Sequence, residues 1–86
     1  MASVKVLFFA RARELAGTSA STLTLPDGST VADVRSKLVL DVPALASVLT
    51  TAIFALNQSY VAVDAEASTV VKTGDELAIV PPISGG

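Results

Sequence analysis

The chain has 86 residues, of which 51% are hydrophobic and 16% charged, with six Lys and Arg against eight Asp and Glu and a formal net charge of −2. That length makes one domain around a single core, and the absence of Cys and His removes disulfides, thiolate nucleophiles, imidazole bases and nearly all zinc chemistry. The basic residues are scattered singly rather than gathered into a stripe, which argues against nucleic-acid binding.

Residues 3–9 alternate, with Val4, Val6 and Phe8 on one side and Lys5, Leu7 and Phe9 on the other, the period of a strand whose Lys5 face is the more exposed. Residues 10–16 are good helix formers closed by Gly17, which predicts a short helix or turn. Residues 22–25 alternate again with Leu23 and Leu25 inward, and Pro26-Asp27-Gly28 ends them as a turn. This second strand is expected to pair with the first in hairpin fashion. Ser29 or Thr30 then caps a helix, with Asp33 placed to meet free N–H groups and the positive end of the dipole. Val31, Val34 and Leu38 form its buried stripe. Pro43 breaks this helix and suits the first turn of another, carrying Leu45, Val48 and Leu49. Residues 53–56 read as a strand, Asn57-Gln58 as a turn, 60–63 as a strand, 64–68 as a loop, 72–75 as a turn and 76–80 as the last strand. The expected organisation is a small α+β domain over residues 1–80 and a flexible tail over residues 81–86.

The first residues lack the charged start, long apolar run and cleavage site of a signal peptide, so a cytoplasmic location is expected. No charge falls between Asp41 and Asp64, a stretch long enough to span a bilayer. Pro43, Asn57 and Gln58 interrupt it, and no membrane association is expected. A chain this short and this apolar should keep some apolar surface outside its core, which a protein partner would cover.

Chemistry is scarce along the chain. The closest carboxylate pairs, Asp64 with Glu66 and Asp75 with Glu76, stand beside turn signals and read as solvated turn positions. Ser84 has no His to activate it, and no metal site is expected. The chain end remains. Gly85 and Gly86 carry no Cβ to obstruct entry into a narrow site, while Pro81 and Pro82 end the sheet ladder and extend the path. From residue 82 to residue 86 an extended chain reaches about 17 Å. Chain ends are commonly disordered, so the residues alone leave a frayed Gly-rich end as the competing reading.

Three separated segments carry a resemblance. Lys5-Val6-Leu7-Phe8-Phe9-Ala10 with Arg13-Glu14-Leu15, Asn57-Gln58 before a short strand, and Thr73-Gly74-Asp75-Glu76 leading to Val80-Pro81-Pro82-Ile83-Ser84-Gly85-Gly86 resemble the small subunit of molybdopterin synthase, the MoaD-type sulfur carriers, over nearly the whole chain. The resemblance implies a β-grasp, ubiquitin-like fold: a mixed sheet of four to five strands with one main helix and short helices. It also implies a cycle. A ubiquitin-activating-like adenylyltransferase uses ATP to adenylate the carboxylate of Gly86, a sulfur donor converts it to a thiocarboxylate, and the loaded carrier docks on the large synthase subunit to give sulfur to a cyclic pyranopterin precursor. In the family the synthase is a heterotetramer with two large subunits at its centre. The carrier would bind no cofactor and perform no catalysis of its own, the active site lying on the large subunit. With no cysteine to hold a persulfide, the carboxyl end is the plausible attachment point.

Carried over, Gly85 and Gly86 are the reactive terminus, and Pro81, Pro82, Ile83 and Ser84 are the inserted arm. Tyr60 and Val80 correspond to apolar surface positions used against partners. Strand parity places Leu7 and Phe9 with Lys5, and Val80 opposite the inward Leu77 and Ile79, so an exposed patch of these four is expected; ordinary core is the other reading of Leu7 and Val80. Residues 41–51, rich in Ala and Val, match no family motif. A thiamin-pathway carrier, disfavoured by the Phe-Phe-Ala and Arg-Glu-Leu segments, a modifier conjugated to lysines, and a passive β-grasp interaction module are the alternatives.

Overall fold

A computed structural model describes residues 1–80. The alternation at the start of the chain becomes β1 (Ala2–Phe8), with Val4, Val6 and Phe8 buried and Lys5 exposed. The strand stops one residue short of the expected end. Phe9 keeps an extended backbone but caps the N-terminus of α1 (Ala10–Ala16), and Gly17 closes that helix in the left-handed conformation at φ 74°. A side chain there would strain the backbone, whereas hydrogen makes the turn cheap. β2 (Ala20–Leu25) begins two residues earlier than the alternation suggested and runs antiparallel to β1.

α2 (Val31–Asp41) starts at Thr30, not Ser29. The Thr30 hydroxyl accepts from the Asp33 N–H, and the Asp33 carboxylate accepts from the Thr30 N–H at 2.9 Å. This reciprocal box satisfies two donors that the first helical turn leaves free. Val31, Val34 and Leu38 are buried, as their spacing predicts. A 3-10 turn at Pro43–Leu45 and the short α3 (Ala46–Leu49) follow, burying Leu45 and Leu49. β3 (Ile53–Leu56) and β4 (Ser59–Val61) form a hairpin through Asn57 and Gln58, at φ 49° and 73°. Two left-handed residues in sequence are what a two-residue hairpin loop demands.

β5 (Glu76–Val80) enters the middle of the sheet, parallel to β1 and antiparallel to β3, giving the order β2-β1-β5-β3-β4. A five-stranded mixed sheet with one main helix across it is the β-grasp arrangement. One face, carrying Val4, Val6, Phe8, Leu23, Leu25, Phe54, Val61, Leu77 and Ile79, packs with the buried stripe of α2 into the core.

Residues 64–68 depart from the expected loop. They belong to a 3-10 helix, Val63–Ser68, and strand β4 accordingly ends at Val61 rather than continuing to Val63. Glu66, expected to be a solvated turn residue, is 3% exposed. Its carboxylate accepts from Arg35 Nε at 2.8 Å and Nη2 at 2.6 Å. Arg35 also donates to the carbonyls of Leu49 and Ala52 and lies 4.8 Å from the Phe54 ring centroid. One guanidinium thus joins α2, the end of α3, the entry to β3 and the 3-10 helix. Its fork geometry serves two carboxylate oxygens while leaving donors for carbonyls.

Arg35→Ala should lower unfolding free energy by about 3–5 kcal/mol, because it leaves the buried Glu66 carboxylate uncompensated. Glu66→Gln should cost less, about 1–3 kcal/mol, since Arg35 is partly exposed and retains its carbonyl acceptors. Denaturant titration of the two variants checks both magnitude and order.

Candidate functional site

The sheet has a second face, opposite the helices, and the register determines what lies on it. Leu7 pairs with Ala20 on β2 and with Ala78 on β5; Ala78 pairs with Ala55 on β3, and Ala55 with Tyr60 on β4. The row Ala20, Leu7, Ala78, Ala55, Tyr60 therefore crosses all five strands. Directly paired residues share a face, and each is out of phase with the core residues of its own strand. One step toward the end of β5, Val80 pairs with Ile53; one step the other way, Lys5 pairs with Glu76.

Of the four residues expected to form a patch, Leu7, Val80 and Tyr60 share this outer face. Tyr60 is 74% exposed, while Leu7 and Val80 are half-buried among their strand neighbours. Phe9, 49% exposed, stands beyond the last residue of β1 and keeps the parity of Leu7 through its extended backbone. Leu7 and Tyr60 are separated by two intervening strands, so the four do not form a tight cluster. They line an apolar face that reaches the end where β5 finishes. Ile53, exposed and beside Val80, belongs to the same face and was missed by sequence reasoning. Its signal was present: with Phe54 inward, alternation puts Ile53 and Ala55 outward.

The opposite end of the sheet is polar and hydrogen-bonded. Asn57 Nδ2 donates to Asp75 Oδ1 at 3.0 Å, the Glu76 N–H donates to Asn57 Oδ1 at 3.0 Å, and the Asn57 N–H donates to the Glu76 carbonyl at 2.8 Å. The second Asp75 oxygen accepts from the Lys72 N–H at 2.7 Å. Asn57 and Asp75 thereby hold the β3–β4 hairpin against the start of β5 and set the register that assembles the apolar row. Asp75 is neither simply solvated nor paired with Glu76 as an acid–base couple.

The expected reactive and inserted residues, Pro81, Pro82, Ile83, Ser84, Gly85 and Gly86, lie outside the described residues. What the described part supplies is their point of departure: Val80, on a central strand, paired with Ile53 of β3 and one residue beyond the last β1 pair, Phe8 with Ile79. Among the described residues, no group of three Asp, Glu, His or Cys gathers as a metal ligand set, and no helix is long and apolar enough to cross a membrane.

Residues 6–86 match the ThiS family. The chain belongs to the ThiS family. Over 84 residues this ThiS-family chain is 49% identical to the molybdopterin synthase sulfur carrier subunit of Chlamydomonas reinhardtii, covering 96% of this chain and 98% of that one. The human protein of the same name is 35% identical over 86 residues, covering 100% and 97% of the two chains. In structure it is similar to small archaeal modifier protein 1 of Methanosarcina acetivorans, with a TM-score of 0.83, 33% identity and coverage of 100% and 98%.

An exposed apolar face and a buried one should respond differently to truncation. Tyr60→Ala should change stability by no more than about 0.5 kcal/mol, whereas Phe54→Ala, six positions away on the inner face, should cost about 3–5 kcal/mol. Thermal and denaturant unfolding of the pair checks that the outer face is not held for folding.

Proposed function

We propose that this chain is the sulfur carrier subunit of a molybdopterin synthase, its reactive group being the terminal carboxylate of Gly86. The observation that carries the reading is the 49% identity, over nearly all of both chains, to a protein of that name. The apolar outer face ending at Val80 supports it, because a partner seated there would find the chain end leaving beside its contact surface.

The chemistry follows from the carboxylate. With a reference pKa of about 3.3–3.7 it is ionised at neutral pH and a poor electrophile. Attack of its oxygen on the α-phosphorus of ATP, on an activating adenylyltransferase, gives an acyl adenylate and releases pyrophosphate. A sulfide-equivalent nucleophile then displaces AMP and leaves a thiocarboxylate. On the large synthase subunit the sulfur passes to a cyclic pyranopterin precursor, and water restores the carboxylate. This chain's part is to carry and present. Gly85 and Gly86 let the end enter a narrow site without a Cβ in the way, Pro81, Pro82, Ile83 and Ser84 supply reach, and Leu7, Phe9, Tyr60 and Val80 contact the partner. The activating enzyme and the large subunit would use the face in turn.

A second reading, a modifier joined to lysines of other proteins, is favoured by the 33% identity to small archaeal modifier protein 1. One experiment separates the two. Coexpressed with the activating enzyme and a sulfur source, the carrier should show by intact mass the replacement of one oxygen by sulfur at its C-terminus. Deletion of Gly86 should abolish that species and all sulfur transfer to precursor. Isopeptide adducts on other proteins, with no thiocarboxylate, would reverse the preference.

A further inference from the structure

The helix-covered side of the sheet is not closed everywhere. At the end where β5 finishes, a cleft of about 490 Å³ opens between α2, α3 and the start of the 3-10 helix, where Val39, Ala46, Leu49 and Val63 line it together with the segment 50–52 and Arg35. Val63 is 66% exposed, and Thr50 and Thr51 are exposed as well, so the cleft is open to solvent. Arg35 brings no net charge to it, because Glu66 accepts from its Nε and Nη2. The carbonyls of Leu49 and Ala52 take two further N–H groups. A guanidinium has five, which leaves one Nη1 hydrogen without a partner among the described residues. The occupant that suits this cleft is aliphatic, uncharged and equipped with a backbone carbonyl.

The position of the cleft selects that occupant. Val80 pairs with Ile53, which puts the Ala52 Cα about 6 Å from that of Val80. β5 runs antiparallel to β3, so a continued course would bring residues 81, 82 and 83 abreast of residues 52, 51 and 50, each of which lines the cleft. In such a course Ile83 has the parity of Ile79, which belongs to the core on the side of the sheet that α2 covers. Three residues beyond Val80 reach about 10 Å. Residues 81–86 carry no charged side chain, and Ile83 is their one large aliphatic residue. Pro81 and Pro82 have no N–H with which to extend the ladder, so side-chain contact is what can hold this segment to the domain. We infer that the cleft is the resting seat of this chain's own residues 81–84, with the Ile83 side chain between Val39, Leu49 and Val63. Attachment beside the cleft gives the segment an effective concentration there of about millimolar. The seat is an autoinhibitory contact: a partner that draws the Gly85-Gly86 end into its own site must first lift Ile83 out. The inference goes beyond the carrier reading and holds equally for an end that is joined to lysines.

Two measurements on the full chain test it. With its methyl groups isotopically labelled, the Ile83 methyls should show nuclear Overhauser contacts to those of Val39, Leu49 and Val63. Release of Gly86 by a carboxypeptidase is then timed for the unsubstituted chain and three variants, each with a thermal melt. Ala46→Leu fills the cleft, Val63→Asp places a charge at its exposed side, and Leu40→Ser removes an exposed side chain of α2 that does not line it. Cleavage follows the fraction of time for which the end is open, so either cleft variant should speed release about threefold or more, and Leu40→Ser should leave it within about 1.5-fold. Val63→Asp carries the comparison if Ala46→Leu does not fold. Absence of contacts between Ile83 and the cleft overturns the seat, and so does an unchanged rate in a folded cleft variant. Contacts found only between differently labelled molecules in a mixed sample assign the cleft to a second copy and overturn it too. None of these outcomes bears on the carrier role, which the mass of the C-terminus decides.

Discussion

The parallel pairing of β1 with β5 is the constraint from which the remaining architecture follows. Two parallel strands cannot be joined by a tight turn, so everything between them must cross the sheet and return. α2 covers the core face, the β3–β4 hairpin occupies the sheet on the other flank of β5, and the last strand is threaded between strands already in place. The outcome is that β5 ends at the centre of the sheet and at the same end as β1. A strand at the edge would have a neighbour on one side only; here β1 pairs on one side as far as Phe8 with Ile79, and β3 on the other with Ile53 against Val80.

Holding the crossover in place takes polar interactions inside an otherwise apolar domain. Arg35 is the main one, since it bridges α2, the end of α3, the start of β3 and the 3-10 helix in a single side chain. A buried ion pair adds little net stability compared with apolar packing of the same volume, and its loss is costly because one charge is left behind. Its effect here is geometric: it fixes where β3 begins, and β3 begins with the residue that pairs with Val80. Asn57 and Asp75 do the same at the other end of β5 through backbone and side-chain hydrogen bonds. The register that brings Leu7, Ala78, Ala55 and Tyr60 into one row is thus secured at both ends.

The two faces of the sheet differ in residue class. The inner face uses Val, Leu, Ile and Phe to fill the space beneath α2, whereas the outer face carries Ser3, Thr24, Lys5, Thr22 and Glu76 toward one end and Leu7, Ala78, Ala55, Tyr60, Val80 and Ile53 toward the other. A face meant only for water would be polar throughout; this one is polar toward the start of β5 and apolar toward its end.

Periodicity and capping signals were sufficient for most of the elements. The alternation of residues 3–9, the Thr30 and Asp33 box, the break at Pro43 and the turn at Asn57-Gln58 all express local preferences that the chain carries wherever it goes. The Gly-Gly end and the Phe-Phe-Ala segment identified the family for the same reason, being contiguous. What local preference could not decide was the partnership of distant residues. Glu66 looked like a solvated turn acid because its partner, Arg35, lies 31 residues away in sequence, and residues 64–68 looked like a loop because the contact that organises them is equally remote. Leu7 and Val80 were undecided between core and surface, since alternation says that two faces differ but not which is covered. The periodicity and composition of this sequence determined most of its elements and the lack of Cys and His chemistry, and its contiguous motifs carried the family resemblance. Only the tertiary structure decided the order of the strands, and hence which alanines meet in one row, because register is a property of paired strands and no single segment contains it.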